Sequence, residues 1–302
     1  MIARVESILR FKDDPPRRRA GRIMIAEKTM RMPVGACDCH MHIYDGRFPS
    51  VADARLTPPE ATVEDYRALQ RRLRLERVVV VTPSTYGNDN SCTLDALSKF
   101  GPVARGIAVV DPAITDAELL RLHDHGIRGI RFNQMMNVVT PLTALETLAA
   151  RIAPLGWHVQ LLLRADDLAA AESRLRALPV PVVFDHLGRL PVPGSTHPGY
   201  GVIRRLLDAG RAWVKLSGAY LACDYEDADA LARLYVAAAP ERMVWGSNWP
   251  HPTATAGFHE MPDDLDLLRR LGRSVGNEPM LERVLVDNPA ALYGFANPDK
   301  GN

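Results

Sequence analysis

The 302-residue chain has little cysteine, no excess of charge of either sign and no long apolar run, and each shortage closes off a class of protein. Its four cysteines are Cys37, Cys39, Cys92 and Cys223, and the first two are near neighbours on one strand, where a disulfide does not easily form. No disulfide framework is expected, which suits a reducing cytoplasm. Lys and Arg number 37 against 36 Asp and Glu, and the basic residues are scattered rather than striped. That pattern speaks against nucleic acid or an anionic membrane as a partner and leaves small molecules. The stretch "PPRRRAGRIMIAEKTMRM" is positively charged, yet its apolar run is too short for a signal-peptide core or a membrane span. Residues 1–33 read as a mobile extension, with Met24 or Met30 as alternative starts, and residues 34–302 as one catalytic domain. The chain also lacks a G-x-G-x-x-G turn after its first strand, a P-loop, low-complexity tracts, long repeats and a domain-splitting linker, so nucleotide binding is disfavoured.

From Cys37 onward, apolar strand-like runs alternate with amphipathic stretches, the pattern of a parallel sheet with crossover helices. Eight strands are predicted: "CDCHMHIYD" (37–45), "RVVVVTPS" (77–84), "ARGIAVVDP" (104–112), "GIRGIRFN" (126–133), "HVQLLLR" (158–164), "VPVVFDHLGR" (180–189), "AWVKLSG" (212–218) and "RMVWGSN" (242–248). Helices are predicted over 62–75, 115–126 and 199–210, the first two opening on a capping Thr and the last two ending at Gly. Eight such units in roughly 260 residues make a single (β/α)8 TIM barrel, with a doubly wound open sheet as the second choice.

Barrel strands alternate side chains between the interior and the helices, and catalytic groups sit at strand C-terminal ends. Alternation along "CDCHMHIYD" puts Asp38, His40 and His42 on one face and Cys37, Cys39 and Met41 on the other. The apolar set belongs against the helices, which turns both imidazoles inward and makes them a candidate site. In "VFDHLGR" a buried strand ends on Asp185 and His186, groups that need partners if buried. In "VWGSNWPHP", Ser247 and Asn248 follow an apolar strand, Trp249 and Pro250 read as packing, and His251 is either a further ligand or solvent-exposed.

Arg131 shares the inward parity of Gly129 and Asn133, and its guanidinium matches either a substrate carboxylate or an acidic barrel residue. Gln160 lies in the interior of the fifth strand. Further substrate ligands are expected at Ser84, Tyr86 and Asn88 after the second strand and at Ser217 and Tyr220 after the seventh.

Taken in order, "GACDCHMHIYD", "VVVTPSTYGNDN", "GIRGIRFN", "FDHLGR", "VKLSGAY", "VWGSNWPHP" and "VDNPAALYGF" resemble the amidohydrolase superfamily. Within it they resemble the group of pyrone-dicarboxylate lactonases, sulfomuconolactone hydrolases and galactarolactone isomerases, over residues 36–295. The resemblance implies an enzyme acting on a lactone or related carboxylated ring, with His40, His42 and His186 binding or polarising the carbonyl. It also implies a general-base Asp at the end of the eighth strand, where this chain has Asn248.

An amide cannot take a proton from water near neutral pH. Either Asn248 is an introduced substitution in a hydrolase, or the enzyme is an isomerase that shifts an ester between substrate hydroxyls, or a first-strand His is the base. The H-x-H pair and the commoner activity of the group favour ring hydrolysis, with lactone isomerisation as the alternative. A sugar-acid-binding protein that has lost catalysis is a third reading, and a metal-dependent decarboxylase a fourth. Leu221 stands near the place where the pyrone-dicarboxylate enzymes use a further Arg, which favours a sugar-acid lactone over a dicarboxylate. No cofactor is required: a binuclear metal centre lacks its fourth-strand Lys and eighth-strand Asp, while mononuclear zinc stays open without being favoured. The expected partner is a small lactone or sugar acid, and a homo-oligomer is compatible with the sequence.

Overall fold

The computed structural model describes residues 22–25, 28–136, 138–222 and 224–296. Most of the extension expected over 1–33 therefore lies outside the described residues, as does Cys223. Within that extension β1 (Arg22–Ile25) and β2 (Lys28–Arg31) pair antiparallel, and Met30 and Met32 are buried in the main core.

All eight predicted barrel strands are present: β3 (Cys37–Met41), β4 (Arg77–Val81), β5 (Ala104–Ala108), β6 (Ile127–Asn133), β7 (His158–Leu162), β8 (Val182–Phe184), β9 (Ala212–Leu216) and β10 (Met243–Trp245). They form one parallel sheet in chain order, each pairing with the next. Between and after them run α1 (Val63–Leu73), α2 (Ser91–Phe100), α3 (Asp116–Asp124), α4 (Leu145–Ile152), α5 (Leu168–Ala177), α6 (Pro198–Asp208), α7 (Tyr225–Ala238), α8 (Pro252–Thr255), α9 (Asp264–Val275), α10 (Glu278–Glu282) and α11 (Asn288–Tyr293). Local chemistry sets their starts: Thr62 and Asp65 form a reciprocal capping box on α1, and the Thr115 hydroxyl accepts the Glu118 N–H on α3. Runs such as Val78–Val81 are buried throughout, as strands covered on both faces must be.

The barrel closes between β10 and β3 through two backbone bonds beyond the strands proper. Asn248 N–H donates to His40 O at 2.7 Å, and His42 N–H donates to Trp249 O at 2.8 Å.

Two apolar clusters divide the interior from the helix layer. Cys37, Cys39, Val79, Val81, Ile107, Val183, Trp213 and Val244 fill the barrel, closed off by Tyr293 and Phe295, while Met41, Val78, Val80, Ile130 and Phe132 pack with the helices. This corrects part of the alternation expected on the first strand. Cys37 and Cys39 point inward, and Asp38 points outward to accept the Tyr66 hydroxyl of α1 at 3.0 Å. The cause is a register irregularity between Asp38 and Met41. A bulge re-aims the side chains beyond it, so His40 and His42 still turn in while Met41 stays out. The Cys37 and Cys39 sulfurs lie 3.6 Å apart as buried free thiols, and Cys92 is also free.

Candidate active site

A pocket of about 570 Å³, partly open to solvent, lies over the C-terminal ends of the strands. His42, Ser84, Arg131, His186, Arg189 and Asn248 supply polar groups to it together with Tyr44, Asn133 and Thr253. Among the described residues, no Asp or Glu lines it. Several of its residues occupy left-handed backbone, with φ of 52° at His186, 53° at Arg189 and 63° at Asn248. Asn and His tolerate that region better than most side chains, whereas Arg is held there by the surrounding structure.

Beneath the pocket is a fully buried charged cluster. The Asp185 carboxylate, just past β8, accepts at Oδ2 from Arg131 Nε and from Gln160 Nε2, each at 3.1 Å. Its Oδ1 lies 3.2 Å from His40 Nδ1 and 3.6 Å from Lys215 Nζ. Lys215 donates to Gln160 Oε1 at 2.6 Å and lies 3.1 Å from His40 Nδ1.

Burial alone would push Asp185 up, but the neighbouring Lys215 and Arg131 charges hold it well below the usual carboxylate range. Burial lowers Lys215 to about 8, so the ammonium form still predominates at neutral pH. The three imidazoles are neutral. Burial brings His186 down to about 3, burial and the Arg131 charge bring His42 to about 3, and burial and Lys215 hold His40 well below its ordinary value.

The rings are fixed by their other nitrogens. His42 Nδ1 is 2.7 Å from Val81 O, which can only accept, so Nδ1 carries the proton and Nε2 is left as an acceptor. His186 Nδ1 bonds Ser217 Oγ at 2.9 Å. The His40 ring packs between them, with centroids 5.0 Å from His42 and 4.6 Å from His186. The Asn248 amide donates from Nδ2 to Tyr220 OH at 2.6 Å, which leaves Oδ1 as its accepting atom.

Of the residues expected from sequence, His42, His186, Asn248, Ser84 and Arg131 line the pocket, and His40 lies directly behind them. Arg131 pairs with an acidic barrel residue, Asp185, and also faces the pocket. Gln160, Ser217 and Tyr220 sit one layer back, holding Asp185 and Lys215, His186, and Asn248 respectively. Tyr86 accepts the Asp45 N–H at 3.0 Å outside the lining, and Asn88 is exposed. His251 is buried rather than solvent-exposed, because its Nε2 is held by Asp264 at 3.0 Å. Sequence reading missed Lys215, Arg189, Tyr44 and Asn133. Lys215 did leave a signal: it shares the inward parity of Trp213 and Ser217 in an otherwise apolar strand.

His40, Asp185 and His186 offer ligand atoms within 4.8 Å of one another, the spacing of a metal site. Their surroundings do not fit one. Both oxygens of Asp185 already face cations, Arg131 on one side and Lys215 on the other. A divalent ion would join two buried positive charges offset by a single carboxylate, and Asn248 adds no negative charge.

An eight-stranded parallel barrel with H-x-H ending its first strand, a buried Asp-His pair after the sixth and its pocket at the strand C-termini has the build of an amidohydrolase. The family model described as Amidohydrolase matches residues 37–295, and the chain belongs to that family. Among curated proteins it is 35% identical over 288 residues to a 2-pyrone-4,6-dicarboxylate hydrolase of Comamonas testosteroni, covering 89% of this chain and 93% of the relative. It is 32% identical to a 4-sulfomuconolactone hydrolase of Rhizobium radiobacter (92% and 95% covered) and 31% identical to a D-galactarolactone isomerase of Agrobacterium fabrum (86% and 91%). The crystal structure of a probable 2-pyrone-4,6-dicarboxylic acid hydrolase from Acinetobacter baumannii with citric acid bound superposes with a TM-score of 0.78. Its sequence is 27% identical, and 87% of this chain and 100% of that one are covered.

Proposed function

We propose that this protein acts on the lactone ring of a small carboxylate-bearing, hydroxyl-rich substrate and moves the ester from one substrate hydroxyl to another. The observation that carries this reading is a pocket with two guanidinium groups, neutral imidazoles and two amides but, among the described residues, no carboxylate. Arg131 and Arg189 suit an anionic substrate, and the imidazoles suit a carbonyl. Opening the ring with water needs a competent base. Asn248 is not one, and an imidazole lowered to about 3 accepts a proton weakly. A hydroxyl already in the substrate needs far less help, because intramolecular attack gains an effective concentration on the order of 10⁵ M or more.

In this reading a substrate hydroxyl attacks the lactone carbonyl and gives its proton to His42 Nε2. The tetrahedral intermediate then expels the original ring oxygen, which takes the proton back. Atoms and charge balance within one substrate, and no acid is released. Hydrolysis is the second reading, favoured by the two hydrolases among the relatives and by the H-x-H pair; water would then be oriented by Asn248 and deprotonated by His42.

The test is to offer sugar-acid and muconate-type lactones to the protein and to Asn248→Asp, following acid release and proton NMR together. Lactone-to-lactone conversion without acid supports isomerisation, and a gain of at least ~10²-fold in acid release with Asn248→Asp fits a restored base. Stoichiometric acid from the unaltered protein would replace the isomerase reading with hydrolysis. Ligand-dependent stabilisation with no turnover would replace both with the binding-protein reading.

A further inference from the structure

His40 Nδ1 has two close neighbours that make opposite demands on it. An ammonium has only N–H donors, so Lys215, at 3.1 Å, requires Nδ1 to be a bare acceptor. A carboxylate only accepts, so Asp185 Oδ1, at 3.2 Å, would require Nδ1 to carry the proton. The geometry resolves the conflict. Lys215 is aligned for a hydrogen bond to the ring, whereas Asp185 Oδ1, at 3.2 Å, is poorly aligned with it and meets it chiefly as a neighbouring charge. Lys215 is itself held in place, because Gln160 accepts from it at 2.6 Å while the same amide donates to Asp185 Oδ2, which fixes which end of the amide faces the ammonium.

With Nδ1 accepting, the single proton of a neutral imidazole must sit on Nε2. That atom is buried and, among the described residues, has no hydrogen-bond partner. An unpaired buried donor is costly unless a ligand uses it. Its ring lies against His42 and His186, which both line the pocket.

We propose that Lys215 is a positioning residue that fixes the tautomer of His40, so that the His40 Nε2–H is presented as a donor to the substrate carbonyl oxygen while negative charge builds on it. The donor role rests on the lactone reading above; the tautomer does not. The arrangement divides the labour between two rings of one strand, with His42 Nε2 accepting a proton and His40 Nε2 donating a hydrogen bond. A donor aimed at developing charge in a water-poor site acts chiefly on the turnover step rather than on ground-state binding.

The experiment is long-range proton-nitrogen NMR on the full chain labelled at histidine, with His40 assigned by substitution, alongside steady-state kinetics. In the unaltered protein His40 is expected to have its proton on Nε2 and a bare Nδ1. In Lys215→Met, where Asp185 is left as the neighbour of Nδ1, the proton is expected to move to Nδ1. kcat should then fall by about 10²-fold or more, with KM changed by less than about threefold. A proton on Nδ1 in the unaltered protein, or a tautomer indifferent to Lys215→Met, would overturn the proposal. Should Lys215→Met fail to fold, the spectrum of the unaltered protein decides alone. The stated tautomer in a protein that turns over no lactone would uphold the positioning role and reject the proposed function.

Discussion

Arg131 holds Asp185 while facing the pocket, and its position explains why it cannot be replaced cheaply. Its Nε and Nη2 both reach Asp185 Oδ2 at 3.1 Å, while the same side chain faces the pocket. Removing it would leave a buried carboxylate short of one of its two cationic neighbours. Arg131→Met is therefore expected to lower unfolding stability by about 3 kcal/mol or more in urea titrations. It should also raise KM for an anionic lactone at least ~10-fold in steady-state assays. Arg131→Lys should recover part of the stability and little of the affinity, since a point charge does not reproduce the fork. A full recovery of KM by lysine would show that geometry at this position is unimportant. Inward parity was enough to find this residue from sequence, because β6 runs regularly from Ile127 to Asn133.

At the scale of elements, the seam between β3 and β10 decides where His40, His42 and Asn248 stand. Asp38, outside the barrel, accepts the backbone N–H groups of His40 and Ser247 at 3.0 Å each, the Ser247 hydroxyl at 2.5 Å and the Tyr66 hydroxyl at 3.0 Å. One carboxylate thus ties the backbones carrying His40 and Asn248 to each other and to α1. Asp38→Ala would strand two buried N–H donors, each costing ~1–3 kcal/mol, so the unfolding midpoint should drop and kcat should fall with it. Retention of full activity would mean that the seam bonds Asn248 to His40 and Trp249 to His42 suffice. Gly246 matters at the same seam, because a Cβ there would lie 2.5 Å from His40 Cβ and 2.8 Å from His40 N. Gly246→Ala is expected to push β10 off β3 and to lower kcat at least ~10-fold, read in the same assay.

At the scale of the whole molecule, the fold buries four histidines in neutral form. Burial lowers His42, His158 and His186 to about 3 and holds His40 well below its ordinary value. In the unfolded chain these side chains take up protons below about pH 6.5. The unfolded state therefore binds more protons than the native one across roughly pH 3 to 6.5, so stability falls as pH falls through that window. Each such histidine contributes roughly 1.4 kcal/mol per pH unit well below its unfolded value. Asp185, depressed in the fold, adds to the loss at the acid end, and Asp38, raised to about 6 by burial, opposes it between about pH 4 and 6. Urea midpoints measured from pH 7 down to pH 5 should decline steeply, and a flat profile would show that the buried rings are protonated in the native state. Among the described residues no helix is long and apolar enough to cross a membrane.

The sequence by itself determined the eight-strand order, the starts of α1 and α3 and the positions of His42, His186, Asn248 and Arg131 at the mouth. These come from local rules: apolar runs of strand length, capping residues, and the alternation of side chains along a regular strand. Tertiary structure decided what those rules cannot carry. A bulge in β3 reversed the expected facing of Cys37, Asp38 and Cys39, because one irregular residue shifts the parity of one side of a strand against the other. The cluster of Lys215, Gln160, Asp185, Arg131 and His40 brings together five residues from five different strands or strand ends, and no spacing in one chain encodes a meeting across a closed barrel. The roles of the three imidazoles likewise depend on which group each far nitrogen meets, and that is fixed only when the strands close on one another.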